Sequence, residues 1–327
     1  MSDWLIYRGS GEPHGGLREK LPEPPPWRTF NRSGDDATRR LGELARAVSY
    51  RPDDEEIELV NAALYLRRPL LVTGKPGTGK STLAHSVARE LGLGRVLSWP
   101  ITSKSDRLEG LYQYDAIARL QDASLRQSEG RDAADLDIGR YIRLGPLGTA
   151  LLPQHLPRVL LIDELDKSDI DLPNDLLTLF EEGKYEIREL SRIAADQPTA
   201  NVQTHDGEST VEIRDGKVCC EAFPLIIITS NGERDFPPPF LRRCLRLQLK
   251  PPSKDRLNDI VRAHLGRNAA ETAADLLDRF VSLRNNGDLA TDQLLNAIYL
   301  ASRHAWPGDR EKLVSEVMQY LNTSEQQ

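Results

Sequence analysis

Eight residues constrain this chain more than any others: Gly74-Lys75-Pro76-Gly77-Thr78-Gly79-Lys80-Ser81, which fit GxxxxGK(S/T) at every fixed position. The apolar run Leu70-Leu71-Val72 leads into them. Behind them Thr82 to Leu91 carries apolar residues at helical spacing and is closed by Gly92. Strand, glycine loop and helix therefore follow one another in the order a phosphate cradle needs. An accidental glycine-rich turn would lack these flanks. The glycines let main-chain N–H groups turn inward around phosphate oxygens, and the helix N-terminus adds its positive dipole end. Gly74, Pro76, Gly77, Thr78, Gly79, Lys80, Ser81 and Thr82 form the predicted cradle. In it Lys80 reaches the β- and γ-phosphates and the Ser81 hydroxyl holds magnesium.

Composition narrows the class. A chain of 327 residues, 39% apolar and 28% charged, is an ordinary globular protein of one large domain with an appendage, or of two domains. No apolar run approaches the roughly 18 residues of a membrane span. Met1-Ser2-Asp3-Trp4 does not open a secretory signal, so a cytoplasmic address is expected. Three cysteines (Cys219, Cys220, Cys244) are too few and too badly spaced for a disulfide framework or structural zinc, and no HExxH pair exists among the six histidines. Metal chemistry beyond magnesium has no support. A net charge of −7 argues against a dedicated nucleic-acid binder, while leaving room for a local basic patch.

Residues 1–35 read as an extended Pro/Gly-rich tail, in which the cluster Trp4, Leu5, Ile6, Tyr7, Trp27 and Phe30 either docks on a neighbouring surface or is incidental to a mostly disordered segment. Helices are predicted over 38–48 and 53–66, the second with Asp53 as N-cap. The apolar runs at 95–99, 158–164 and 224–231 alternate with helical stretches. They predict an α/β fold: a parallel sheet covered on both faces by helices. Tyr141 to Leu144 reads as a short strand broken by a Gly145-Pro146 turn. Asp206-Gly207 and Asp215-Gly216 predict a β-hairpin insertion over about 188–222. From Pro251 onward four helical segments form an all-helical domain, near 254–266, 270–284, 291–304 and 309–322. The expected domains are thus 36–250 and 251–327.

Binding a triphosphate does not require hydrolysing it. Hydrolysis needs one acid to fix magnesium and another to position water, and Asp163-Glu164 at the end of Val159-Leu160-Leu161-Ile162 supplies both. Asp163 completes the magnesium shell. Glu164 orients and deprotonates the attacking water. Asn231, ending the Leu225 strand, stands beside Glu164 if these two strands flank the phosphate-loop strand. There its amide holds the water or touches the γ-phosphate. Arg242-Arg243, beyond Pro237-Pro238-Pro239-Phe240-Leu241, project toward a neighbour's γ-phosphate or form ordinary solvated surface. Tyr112 and Tyr114 either face an exposed substrate channel or pack in the core.

This order of motifs resembles the AAA+ ATPases and, within them, the MoxR-like group. GKPGTGKS matches Walker A, VLLIDE matches Walker B, TSN matches sensor 1, and LRRC occupies the arginine-finger segment. YIRLGPLGTALLPQHLPRVLLIDELDK is similar to the MoxR stretch that leads through Walker B. The resemblance spans roughly residues 40–327. It implies a P-loop sheet with a helical lid and an ATP- and magnesium-dependent hydrolase in a homo-oligomeric ring, commonly a hexamer. It also implies chaperone-like remodelling of a protein substrate, often beside a von Willebrand A-type partner. Three features depart from the group. Ala290-Thr291-Asp292-Gln293 stands where a sensor-2 arginine is usual, the stretch between Glu182 and Pro224 is long, and Asp166-Lys167 replaces Asn-Arg after Walker B. Two rivals stand beside this reading: a DNA-acting AAA+ motor of a restriction or defence system, and a nucleotide-switch scaffold that barely hydrolyses. The absence of (N/T)KxD after the Leu225 strand disfavours guanine specificity.

Overall fold

A computed structural model describes residues 50–128, 137–207, 209–266, 274–284, 289–302 and 317. The tail, the helix expected over 38–48 and, residue 317 apart, the helix expected near 309–322 lie outside the described residues. By its contacts the chain divides into two compact units. One holds residues 52–73 and 87–248; the other holds residues 74–86 with the described residues from 249 onward and residues 50–51. No helix among the described residues is long and apolar enough to cross a membrane.

Among the described residues the strands all belong to the first unit. In chain order they are β1 (Leu70–Thr73), β2 (Leu97–Pro100), β3 (Tyr112–Tyr114), β4 (Ile142–Leu144), β5 (Val159–Asp163) and β6 (Lys184–Glu186). There follow β7 (Thr199–Gln203), β8 (Thr210–Arg214), β9 (Lys217–Cys219), β10 (Leu225–Ser230) and β11 (Leu245–Gln248). One sheet has the order β11-β1-β10-β5-β2 and every pairing in it is parallel. Its inner strands β1, β10 and β5 are buried along their apolar length. The edge strands β2 and β11 leave every second residue exposed. Continuous apolar strands pair this way because both faces are covered. The helix Asp54–Leu66 packs on β1 and β11, and the helix Pro146–Ala150 packs on β2 and β5. Asp53 caps the first of these, its Oδ1 accepting the Glu56 N–H at 2.9 Å.

The strand order corrects one expectation. β5 and β10 do not flank β1; β10 lies between β1 and β5, with Leu70 opposite Ile227 and Ile227 opposite Leu161. Strand order depends on how each crossover returns to the sheet, which local sequence does not encode.

A second sheet runs β3-β4-β7-β8-β9-β6, antiparallel except for β4 beside β7. The predicted hairpin exists, with Asp215-Gly216 turning β8 into β9 at φ of 53° and 66°. β3, β4 and β6 extend it, burying Val202, Ile213, Val218 and Tyr185 in the same core as the parallel sheet. The Gly145-Pro146 turn is also corrected, because Gly145 is the N-cap and Pro146 the first residue of the helix Pro146–Ala150. Gly148 in that helix lies so close to the Leu111 carbonyl that a Cβ would sit 1.9 Å from it.

In the second unit the helices Lys254–Leu265, Ala274–Arg284 and Thr291–Ser302 share a core of Leu257, Val261, Leu277, Phe280, Leu294 and Ile298. The start of the helix Lys80–Glu90 belongs to this unit as well.

Candidate active site

The phosphate loop leaves the end of β1 through backbone conformations that only glycine adopts without strain. Gly77 has φ +75° and Gly79 φ +96°. Space is equally short: a Cβ on Gly77 would come within 2.7 Å of the Thr291 nitrogen, and one on Gly79 within 3.0 Å of the Tyr50 ring. Thr78 closes the turn, its Oγ1 donating to the Lys75 carbonyl at 2.9 Å. Lys80 is only 7% exposed, and its Nζ donates back to the carbonyls of Gly74 at 2.7 Å and Lys75 at 3.0 Å. The ammonium is thereby held over its own loop, where a phosphate oxygen would replace a carbonyl as acceptor. Ser81 and Thr82 follow, half-buried, in the first turn of the helix, and Pro76 is exposed.

Thr291 stands where sequence reasoning found no sensor-2 arginine. Its Oγ1 donates to the Gly77 carbonyl at 2.8 Å, at the start of the helix Thr291–Ser302. Arg256 lies over the Tyr50 ring, 5.0 Å from its centroid. The helical segment after β11 and the phosphate loop thus form one packed unit.

The acids lie at the carboxyl end of β5. Asp163 is its last residue, and Glu164 follows with φ +61° and ψ +50°. A non-glycine residue held there costs about 1–3 kcal/mol and persists only where its surroundings enforce it. Here the enforcing group is Thr229 on β10. Its hydroxyl accepts the Glu164 N–H at 2.8 Å and donates to Asp163 Oδ1 at 2.6 Å. One buried hydroxyl therefore orients both acids.

The Glu164 carboxylate is bracketed. Oε1 accepts from Asn231 Nδ2 at 3.1 Å and Oε2 from Lys167 Nζ at 2.7 Å. The Lys167 ammonium chiefly holds the Glu164 carboxyl below the usual glutamate range; burial opposes it, and the Asn231 amide adds a lesser lowering. The Glu164 carboxylate in turn raises Lys167. Asn231 thus meets Glu164 as expected, although by direct adjacency of β10 and β5. The structure does not bring the two arginines into this cluster. On the short helix Pro238–Arg243, Arg243 is bonded through Nε to Glu181 Oε1, and Arg242 is exposed.

Of the two readings of the tyrosines, the core one holds. Tyr112 is 3% exposed on β3, its hydroxyl accepting the Arg188 N–H at 3.3 Å. Tyr114 packs against the same core, and its hydroxyl accepts from Arg119 at 3.1 Å.

Sequence reasoning passed over Thr229 and did not give Asp166 a role. The signal for Thr229 was a hydroxyl at the end of an otherwise apolar strand. Asp166 had none, because its partners are main-chain groups.

The family of AAA domains of the dynein-related subfamily matches residues 69–244, more than half of the chain. The match begins at the residue before β1 and ends just past Arg243, so it takes in the glycine loop, both acids and the Asn231 strand. The chain accordingly belongs to the dynein-related AAA-domain family, a nucleotide-binding P-loop fold of parallel sheet flanked by helices, with helices beyond it at the C-terminal side.

Proposed function

We propose that this protein is an ATP hydrolase of the MoxR-like type, working as a subunit of a homo-oligomeric ring to remodel a protein partner. One observation carries the hydrolytic part of the reading. The Glu164 carboxylate is oriented by Asn231 directly beyond Asp163, with Thr229 fixing both acids. Such an arrangement suits a base that must meet a water, rather than two surface acids at a strand end. Lys80 binds the β- and γ-phosphates. Ser81 and Asp163 offer a hydroxyl and a carboxylate oxygen, the hard donor set that suits magnesium, and they would hold it. That ion, when bound, neutralises charge on the phosphates. Glu164 aligns the water and takes its proton as the water oxygen bonds to the γ-phosphorus and the bond to the β-phosphate oxygen breaks. Asn231 keeps the carboxylate aimed.

Arg242 is the better candidate for reaching a neighbour's γ-phosphate, since Arg243 is engaged with Glu181 within its own chain. The domain division expected from sequence, 36–250 and 251–327, and a von Willebrand A-type partner belong to the same reading.

Glu164→Gln tests it. The variant should retain ATP and assemble with it, while turnover falls by about a hundredfold or more. Light scattering with and without ATP reads the assembly. Turnover unaffected by Glu164→Gln would leave a nucleotide-switch scaffold. Stimulation by DNA with a steep salt dependence would point to a DNA motor instead.

A further inference from the structure

Asp166 is a charged residue with 3% exposure, on the single turn Leu165–Lys167 that follows Glu164. Its Oδ2 accepts two main-chain N–H groups, those of Asn231 at 2.9 Å and Glu233 at 3.0 Å. Its Oδ1 is buried and meets no donor among the described residues. Burying half of a carboxylate without a donor costs about 1–3 kcal/mol or more, and an apolar side chain would avoid that cost. What the carboxylate supplies in return is placement: two charge-assisted bonds to alternate residues of the loop after β10. Ser168, which follows the turn, accepts through its main-chain carbonyl from Arg234 Nη1 at 2.8 Å, so the loop is tied at residues 231, 233 and 234. The residue whose main chain Asp166 grips first is Asn231, and Asn231 is the residue whose amide meets Glu164.

We propose that Asp166 is a positioning residue for hydrolysis, holding the main chain at Asn231 so that the amide stays on the Glu164 carboxylate. The proposal rests on the hydrolytic reading above. It assigns the fixed side of the bracket around Glu164 to Asp166 and Asn231. Lys167, whose side chain is 42% exposed, is then the movable side. Displacement of a catalytic group by about 1 Å can cost on the order of a hundredfold in rate, so a loosened loop is read in kcat.

The experiment compares full-length wild type with Asp166→Ala, Asp166→Asn, Asn231→Ala and the Asp166→Ala/Asn231→Ala pair. It measures kcat, KM for ATP, affinity for a fluorescent ATP analogue and melting temperature. Asp166→Ala should lower kcat by about ten- to a hundredfold, with nucleotide affinity within about threefold of wild type. Asp166→Asn retains an acceptor oxygen and should keep kcat within about fivefold. The double variant should turn over no more slowly than Asn231→Ala alone, within about twofold, because Asp166 acts through that residue.

An unchanged kcat in Asp166→Ala overturns the proposal, and so does a double variant in which the two losses multiply. A loss of nucleotide affinity in step with kcat would mark Asp166 as merely structural and overturn it as well. If Asp166→Ala does not fold, Asp166→Ser, with a shorter acceptor, takes its place under the same criteria. A wild type that binds ATP without turnover overturns the hydrolytic reading and this proposal together. An active wild type with an insensitive Asp166 overturns the proposal alone.

Discussion

In the parallel sheet β11-β1-β10-β5-β2 the inner strands are apolar without interruption, whereas in the mixed sheet β3-β4-β7-β8-β9-β6 most strands alternate and run three to five residues. The candidate chemistry follows the first sheet only. Gly74 succeeds β1, Glu164 succeeds β5 and Asn231 succeeds β10, all at carboxyl ends. Parallel strands bring their carboxyl ends to one edge, so Glu164 and Asn231, far apart in sequence, meet there. The mixed sheet has no such edge, and the polar groups it buries serve structure. Tyr185 donates to the Gly148 carbonyl at 3.2 Å, and Asp206 pairs with Arg158 at 3.0 Å, its side chain only 5% exposed. The parallel sheet is held by apolar burial, and the β7–β8 hairpin is fastened to the start of β5 by a carboxylate.

That contrast can be broken by mutation. Asp206→Ala leaves the Arg158 guanidinium, 16% exposed, without its carboxylate and should cost about 3–5 kcal/mol in urea unfolding. A loss below 1 kcal/mol would mean the hairpin is held by packing after all. In the parallel sheet Ile227→Ala, at a fully buried position, should cost about 2–5 kcal/mol. Val211→Ala on the half-buried face of β8 should cost clearly less. Equal losses would erase the distinction.

Lys167→Met sharpens the comparison at the carboxyl edge. In the proposed mechanism Glu164 is a base only when ionised, so turnover should fall as pH drops through its folded pKa. Lys167 lowers that pKa, and removing it raises the pKa. The acid limb of the kcat–pH profile should therefore move to higher pH; a limb that stays or moves down contradicts the bracket. The smallest effect is chemical. Burial pushes the Cys244 thiol up to about 12 and raises Cys220, while Cys219 on β9 is exposed. At pH 8 native alkylation read by mass spectrometry should modify Cys219 first and Cys244 last.

Much of this was legible in the residues. β1, β5 and β10 were visible as apolar runs, and the glycine loop, Asp163-Glu164 and the Asp215-Gly216 turn announced themselves by type and spacing. The short strands β3, β4 and β6 were faint, because three residues carry too little alternation to distinguish a strand from a loop. Gly145-Pro146 misled because the same pair that breaks a strand also starts a helix.

Local chemistry written in the chain determined the long apolar strands, the glycine loop after the first of them and which acids would end a buried strand. Glycine conformations, apolar runs and side-chain type act over a few residues, so sequence suffices for them. Only the fold decided that β10 would lie between β1 and β5, that Thr229 would clamp both acids, and that Asp166 would grip the main chain of Asn231. Those are bonds between residues more than sixty positions apart. They exist because packing brings strand ends together, and no stretch of sequence contains both partners.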